Sequence, residues 1–223
     1  MDELADPEKA EAQRAYMKSS LPFYGISSPD LRVALREPLR AHRLASFEDW
    51  EGAIRMLWDT ALHREDWYAA LAIAEYRWYH EWRTDLRALT LFLHMIRAGA
   101  WWDVCDEIAS RLIRGLLQAH PHEMVPTLAG WAQHDHMWVR RVAILSQLKA
   151  KEGTDTALLR ATIEPNLGDR EFFIRKGIGW ALREFSKTDP AWVQAFVDTH
   201  ADRLSPLSKK EALRLITQEK EGS

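Results

Sequence analysis

The chain has 223 residues, of which 47% are hydrophobic and 28% are charged, and its formal net charge at pH 7 is −3. This composition suits one well-cored domain or one elongated repeat array. No run approaches the roughly 18 uncharged apolar residues that a membrane span needs. The acidic N-terminus lacks the basic-then-apolar layout of a signal peptide. A single cysteine, Cys105, excludes an internal disulfide framework and favours a reducing, cytoplasmic location.

The first elements of the chain alternate helical patterns with breaks. Residues 8–18 predict a short charged helix, which Pro22 and Gly25 interrupt. Ser28, followed by a proline, predicts the start of a second helix. Ser46, with an acid three residues later, predicts the start of a third helix whose apolar residues follow helical spacing.

From there the chain repeats itself. Aromatic residues separated by 35, 36 and 35 positions each stand near the start of an apolar-periodic helix: Trp67, Trp102, Trp138 and Phe173. Second helical patterns lie between them, and no segment shows a convincing strand alternation. The sequence therefore predicts an all-α fold, an α-solenoid of HEAT-like helix pairs with a concave basic groove. We expect one domain, with N-terminal cap helices over 1–45, helical repeats over 46–217 and a tail over 218–223.

Charge and tryptophan content suggest what such a groove could bind. Between Arg140 and Lys187 ten basic residues outnumber six acidic ones, a net charge of +4, so the remainder of the chain carries −7. The negative net charge of the whole chain argues mildly against nucleic-acid binding, but the distribution of charge along the chain matters more. Eleven tryptophans are many for this length. A groove with clustered bases and indoles suits a nucleic-acid backbone, although the repeat architecture by itself favours a protein scaffold.

One short segment combines residue types that could do chemistry. Trp102 and Asp106 are four residues apart, so one helical face presents an indole beside a carboxylate. The alternative is an ordinary amphipathic helix with one core aromatic and solvated acids. Cys105, on the apolar face, is expected to be a buried and inert thiol.

Other motifs are weaker. The histidine pairs at 134–136 and 120–122 lie in polar loops and lack the spacing of a zinc site. The chain has no phosphate-binding loop, dinucleotide fingerprint or nucleophile elbow. We therefore expect no metal and no cofactor.

Four segments together resemble the HEAT-like-repeat alkylpurine DNA glycosylases, the AlkD-type DNA alkylation repair enzymes. They occur in the family's order and at compatible spacing: YMKSSLPFYGI at 16–26, WWDVCD at 101–106, WVRRVAILSQLK at 138–149 and FFIRKGIGWALRE at 172–184. Any one segment would be a weak signal, whereas the ordered set is specific and spans most of the chain.

The resemblance implies hydrolysis of the bond between deoxyribose and a cationic N3- or N7-alkylated purine in double-stranded DNA, by a monomer. The family's catalytic carboxylate maps to Asp106, and its two site tryptophans map to Trp102 and Trp180. Its site arginine maps to Arg141, which is expected to grip a phosphate because a guanidinium suits that task better than an ammonium. Two further basic positions that would hold the DNA backbone map to Lys149 and Arg183.

Each assignment has a structural alternative. The two tryptophans could be core residues, and Asp106 could be a solvated acid or the partner of Arg141 in a structural pair. Arg141 could form a salt bridge between repeats, and the two backbone-binding bases could be ordinary solvated helix residues. A rival function is a non-catalytic HEAT scaffold that binds DNA or protein. A weaker third possibility keeps DNA binding but acts on branched or bulky lesions.

Overall fold

The structure is a computed structural model that describes residues 2–221, and the side chains of residues 3–217. Over residues 2–221 the chain forms helices and connecting turns without a strand, which confirms the predicted all-α class. The α-helices are α1 (Pro7–Met17), α2 (Ser28–Ala41), α3 (Phe47–Asp59), α4 (Arg64–Glu75), α5 (His80–Arg83), α6 (Ala88–Gly99), α7 (Trp102–Glu107), α8 (Arg114–Ala119), α9 (Pro121–Trp131), α10 (Met137–Leu145), α11 (Thr156–Ile163), α12 (Phe172–Ser186), α13 (Pro190–Thr199) and α14 (Pro206–Glu221). A π-helical stretch, Ile108–Ile113, joins α7 to α8.

The chain divides into two compact units, Met1–Leu91 and Phe92–Ser223, and the division falls inside α6. The single domain and the solenoid path stay predictions. Helix α14 runs to Glu221, so the backbone of 218–221 in the expected tail is helical, and positions 222–223 lie outside the described residues. Within the described part of the chain, no helix is both long enough and apolar enough to cross a bilayer.

In the first unit, the core forms where α3 packs against α4. The side chain of Ser46 accepts a hydrogen bond from the amide of Asp49 at 3.1 Å, so α3 starts where the sequence predicts. The apolar face of α3 is fully buried, with Trp50 and Ile54 at 0% and Trp58 at 2% exposure.

A buried carboxylate organises the turn between α1 and α2. Glu65, with no exposed surface, accepts hydrogen bonds of 3.1 to 3.2 Å from the backbone amides of Tyr24, Gly25 and Ile26. Gly25 has a φ of +85°, and a Cβ there would lie 2.1 Å from the carbonyl oxygen of Asp6. The helix break seen in the sequence is therefore a tightly packed turn, and the sequence patterns did not reveal the role of Glu65.

In the second unit, the helices that begin near the repeated aromatics pack in sequence: α7 contacts α10, and α10 contacts α12. Helix α12 also contacts α14. Helices α9 and α11 pack against each other and against α10. These are the contacts that stacked helix pairs require. The π-helical stretch contributes Ile108, Leu112 and Ile113 to the core, all fully buried. Burial of each such side chain stabilises the fold by roughly 1.5–3 kcal/mol.

Candidate active site

The centre of the site is an ion pair between Asp106 on α7 and Arg141 on α10. Nε of Arg141 donates to Oδ1 of Asp106, and Nη2 donates to Oδ2, both at 2.8 Å. The arginine side chain is 1% exposed, whereas the aspartate side chain keeps 18% exposure. Two parallel charge-assisted hydrogen bonds fix the plane of the carboxylate, and part of the aspartate side chain remains accessible to solvent. Of the alternatives that the sequence left open for Asp106, the structure therefore adopts the ion pair with Arg141.

Helix α12 holds the arginine from the other side. The third nitrogen, Nη1 of Arg141, donates to the backbone carbonyl of Phe173. One turn further along α12, a Cβ at Gly177 would lie 3.1 Å from that same nitrogen. The backbone of α12 thus supplies a hydrogen-bond acceptor for the Arg141 guanidinium. The absence of a side chain at Gly177 leaves the space that the guanidinium occupies. Sequence reasoning missed both contributions, because neither a main-chain carbonyl nor a cleared space has a residue signature.

Trp180 lies on the next turn of α12 and is surrounded by cations. Its ring centroid is 5.5 Å from Cζ of Arg141, 5.7 Å from Nζ of Lys176 and 6.0 Å from Cζ of Arg183. Cations within about 6 Å of an indole are attracted by its quadrupole. The predicted site residues Asp106, Arg141 and Trp180 are therefore neighbours, linked through the guanidinium.

Glu211 on α14 neutralises two of these cations. Its carboxylate accepts a hydrogen bond from Lys176 at 2.9 Å and forms an ion pair with Arg183. Burial by itself would raise the pKa of Glu211, but these hydrogen bonds and charges outweigh it, so the pKa lies below its ordinary value. Helix α14 can approach so closely because Gly179 has no Cβ, which would otherwise lie 2.5 Å from Cβ of Glu211. The sequence showed no signal for this acid, which is 28 residues from Arg183.

The two adjacent tryptophans of α7 separate into different environments. Trp101 packs with Trp138 and Phe173, at ring-centroid distances of 5.8 and 5.4 Å, and the latter two rings are 4.9 Å apart. Trp102 is half-buried, and among the described residues it has no hydrogen-bond or ring partner. The aromatic cluster with Trp138 and Phe173 thus contains Trp101, whereas Trp102 stands at the start of α7, as the repeat spacing predicts.

Burial raises the pKa of Asp106, because the ionised form loses hydration, while the hydrogen bonds and positive charge of Arg141 act in the opposite direction. Cys105 is fully buried, its Sγ faces the carbonyl of Ile96 at 3.9 Å, and burial raises its pKa above the ordinary range. The expected burial of the thiol is confirmed, and its inertness stays a prediction.

The three predicted DNA-binding residues differ in their surroundings. Lys149 is exposed, in a turn after α10 with a φ of 64°. Arg183 is paired with Glu211, and Arg141 is enclosed by Asp106 and α12. Contact with DNA stays a prediction for all three, and for Arg141 a phosphate would have to compete with hydrogen bonds inside the protein. No group of three or more metal-ligating side chains occurs among the residues described.

Comparisons with known proteins identify the family of the chain. The sequence model of the DNA alkylation repair enzyme family matches residues 1–216. Among solved structures, a predicted DNA alkylation repair enzyme from Enterococcus faecalis has 31% sequence identity and a TM-score of 0.83, over 94% of this chain and 95% of that chain. A search of curated proteins gives no match. The resemblance seen in the four segments is confirmed, and the chain belongs to the DNA alkylation repair enzyme family.

Proposed function

We propose that the protein is a monofunctional DNA glycosylase that hydrolyses the N-glycosidic bond of cationic N3- or N7-alkylated purines in duplex DNA. The electron pair of the broken bond goes to the purine, which leaves as a neutral base and needs no general acid. Water supplies the oxygen that bonds to C1′ of the sugar and releases a proton to the solvent. The developing charge on the sugar is positive, as in other glycoside hydrolysis.

The observation that carries the proposal is the fixed, partly exposed carboxylate of Asp106. Both of its oxygens are held by Arg141 at 2.8 Å, and 18% of the side chain remains exposed. A preorganised negative charge stabilises an oxocarbenium-like sugar without the cost of reorienting at the moment of reaction. A single carboxylate of this kind suffices when the leaving group already carries a positive charge.

The two site tryptophans would then have different tasks. Trp180 already has the cations of Arg141, Lys176 and Arg183 within 6.0 Å of its ring centroid, so a cationic base would have to compete with them for the indole. Trp102 is half-buried and has no ring or hydrogen-bond partner in the part of the chain that the structure describes. Trp102 is therefore our candidate for the cation–π contact with the alkylated base, a contact of about 2 kcal/mol when desolvated.

The proposal also names how DNA is held. Lys149 is exposed and can reach a phosphate without breaking an ion pair that the structure records. Arg183 can do so by exchanging the carboxylate of Glu211 for a phosphate. The protein is proposed to bind as a monomer, with the positive charge concentrated between residues 140 and 187 compensating for its acidic remainder.

The test is release of free base from methylated duplex DNA by the wild type and by Asp106→Asn, with DNA affinity measured in parallel. Asn keeps the shape of the side chain and removes its charge, so base release should fall about 10-fold or more at unchanged or better affinity. Glu123→Gln is the control, because it removes an exposed carboxylate of α9, in the same unit, that is not among the charges acting on Asp106. No release by the wild type from DNA containing 3- or 7-methylpurines would favour the non-catalytic scaffold.

A further inference from the structure

A cavity of about 220 Å³ lies among α8, α9 and α11 in the second unit. Its walls come from α8, the first turns of α9, the segment 147–155 and the start of α11. No predicted catalytic or DNA-binding residue lines it. The volume equals that of about seven waters in the liquid, so it is large enough for a compact organic molecule. The cavity is therefore a candidate ligand site separate from the one around Asp106.

Arg114, the first residue of α8, lines this cavity and has no ion-pair partner among the residues that the structure describes. Its Nε is buried and donates to no acceptor there. A buried donor without an acceptor is rare in folded proteins and unfavourable. The backbone directly before Arg114 is the π-helical stretch Ile108–Ile113, and such stretches occur frequently at functional sites. An anionic oxygen on a ligand would supply the acceptor that the guanidinium needs.

Much of the remaining wall is apolar. Aliphatic side chains line the cavity from each of the three helices, namely Leu117, Val125 and Leu158. Small-molecule sites usually have this composition, in which apolar walls surround a few polar groups that fix the orientation of the ligand. A hydrogen bond to a charged group is also stronger in such surroundings than in water. The walls thus suit a ligand that combines a hydrocarbon body with one charged group.

One wall of the cavity is a turn that Gln147 holds in place. Its Nε2 donates to the carbonyl oxygen of Asp155 at 3.0 Å, and its Oε1 accepts from the amide of Asp155 at 2.8 Å. The Oδ1 atom of Asp155 accepts hydrogen bonds from the amides of Ala157 and Leu158 at 2.8 and 3.1 Å. Both polar side chains are therefore bonded within the protein, whereas Nε of Arg114 is available to a ligand.

We propose that this cavity binds a small carboxylic acid with an apolar body, and that Arg114 recognises its carboxylate. One edge of a guanidinium donates two parallel hydrogen bonds to a carboxylate, while the aliphatic side chains cover the hydrocarbon part. A phosphate monoester, with a charge of about −1.5 to −2 at pH 7, is a poorer fit. It would lose more hydration on burial and be repelled more strongly by the carboxylate of Asp155. This ligand site does not depend on the proposed glycosylase function.

Benzoate is a suitable probe, and benzamide is its uncharged counterpart of the same shape. Binding of each to the full chain is measured by NMR of the methyl groups of Leu117, Val125 and Leu158, which line the cavity. We expect benzoate to shift these signals. Benzamide should bind about 10-fold more weakly, because it lacks the charge that pairs with the guanidinium. The methyl signals of Leu182, which is fully buried in α12 outside the cavity, should stay unshifted.

Substitution of Arg114 tests its role directly. Arg114→Gln should weaken benzoate binding by about 10-fold or more and leave the weaker binding of benzamide unchanged. The matched control is Arg111→Gln, because it removes an exposed cation of the preceding π-helical stretch that pairs with Glu107 at 2.5 Å and does not line the cavity. This control should bind benzoate as the wild type does. Denaturant unfolding of both variants checks that the fold is retained.

Four results would overturn the proposal. Unshifted signals of the three cavity residues in wild type at saturating benzoate would refute the site, without recourse to any variant. Equal binding of benzamide and benzoate would refute the acid as the ligand class, and equal affinity of Arg114→Gln and wild type for benzoate would refute the role of Arg114. A salt dependence of DNA binding reduced by about one phosphate in Arg114→Gln would identify a DNA contact instead.

Discussion

Trp101 packs against Trp138 with their ring centroids 5.8 Å apart, and this contact leaves the adjacent Trp102 outside the aromatic cluster. The two neighbouring indoles therefore lie in different surroundings. Trp101 lies in an aromatic cluster of the second unit, with Phe173 at 5.4 Å, although its side chain is half-buried. Trp102 is half-buried beside the acid of the proposed active site.

This separation predicts opposite effects of substituting the two tryptophans. Trp101→Ala should destabilise the protein by about 3 kcal/mol, because it leaves a cavity beside two packed rings. Trp102→Ala should change the free energy of unfolding by less than about 1 kcal/mol but slow base release by about 10-fold. Denaturant unfolding and single-turnover kinetics measure the two quantities. Equal losses of stability in both variants would contradict the division.

The raised pKa of Asp106 predicts how base release depends on pH. The carboxylate is needed in its ionised form, so activity should fall as the pH decreases through the pKa of Asp106. Because burial raises that pKa, the loss should begin at a higher pH than for an exposed aspartate, whose pKa is about 3.9. The measurement is single-turnover release by the wild type over the acid range, corrected for spontaneous depurination. Asp106→Asn should lack this acid limb, and a limb of the same midpoint in that variant would assign the titration to another group.

Glu211 predicts that affinity for DNA can be increased by removing an acid. Glu211→Gln should free Lys176 and Arg183, which the carboxylate now neutralises. DNA binding should become tighter at low salt, and the dependence of log K on log salt should steepen by about 0.9 for each phosphate gained. The matched control is Glu184→Gln, which removes a carboxylate of α12 that is paired with Lys187 at 2.5 Å. Unchanged affinity and slope in Glu211→Gln would show that these two bases do not contact DNA.

Glu65 predicts a large loss of stability in the first unit. Glu65→Ala would leave the buried amides of Tyr24, Gly25 and Ile26 without their acceptor, at a cost of about 3 kcal/mol. Glu48→Ala is the comparison, because its side chain is 74% exposed and pairs with Arg87 at 3.3 Å. An exposed pair of this kind contributes less than about 1 kcal/mol. Denaturant unfolding monitored by tryptophan fluorescence measures the free energy of unfolding of both variants. A similar loss of stability in Glu65→Ala and Glu48→Ala would contradict the role of Glu65 in holding the turn between α1 and α2.

Much of this protein can be read from local patterns in its sequence. Helical periodicity, capping residues such as Ser46 and the recurrence of aromatics near helix starts predict an all-α chain and most helix positions. These features depend on residues within a few positions of each other, so the sequence alone contains them. The ordered segments that include Asp106 also indicate the family, and with it the candidate acid, the arginine and the tryptophans.

The environment of each candidate depends on contacts between distant residues, and these only the tertiary structure decided. Arg141 is 35 residues from Asp106 and 32 from Phe173, and the packing of α7, α10 and α12 places its guanidinium between the acid and the backbone of α12. The same packing places Trp101, and not Trp102, in the aromatic cluster with Trp138, a choice that helical spacing could not make between adjacent indoles. Glu211 reached the site from α14 because Gly179 allowed the two helices to approach. Burial and ion pairing arise from such long-range packing, and for that reason the chemistry of these side chains followed from the fold and not from their local sequence.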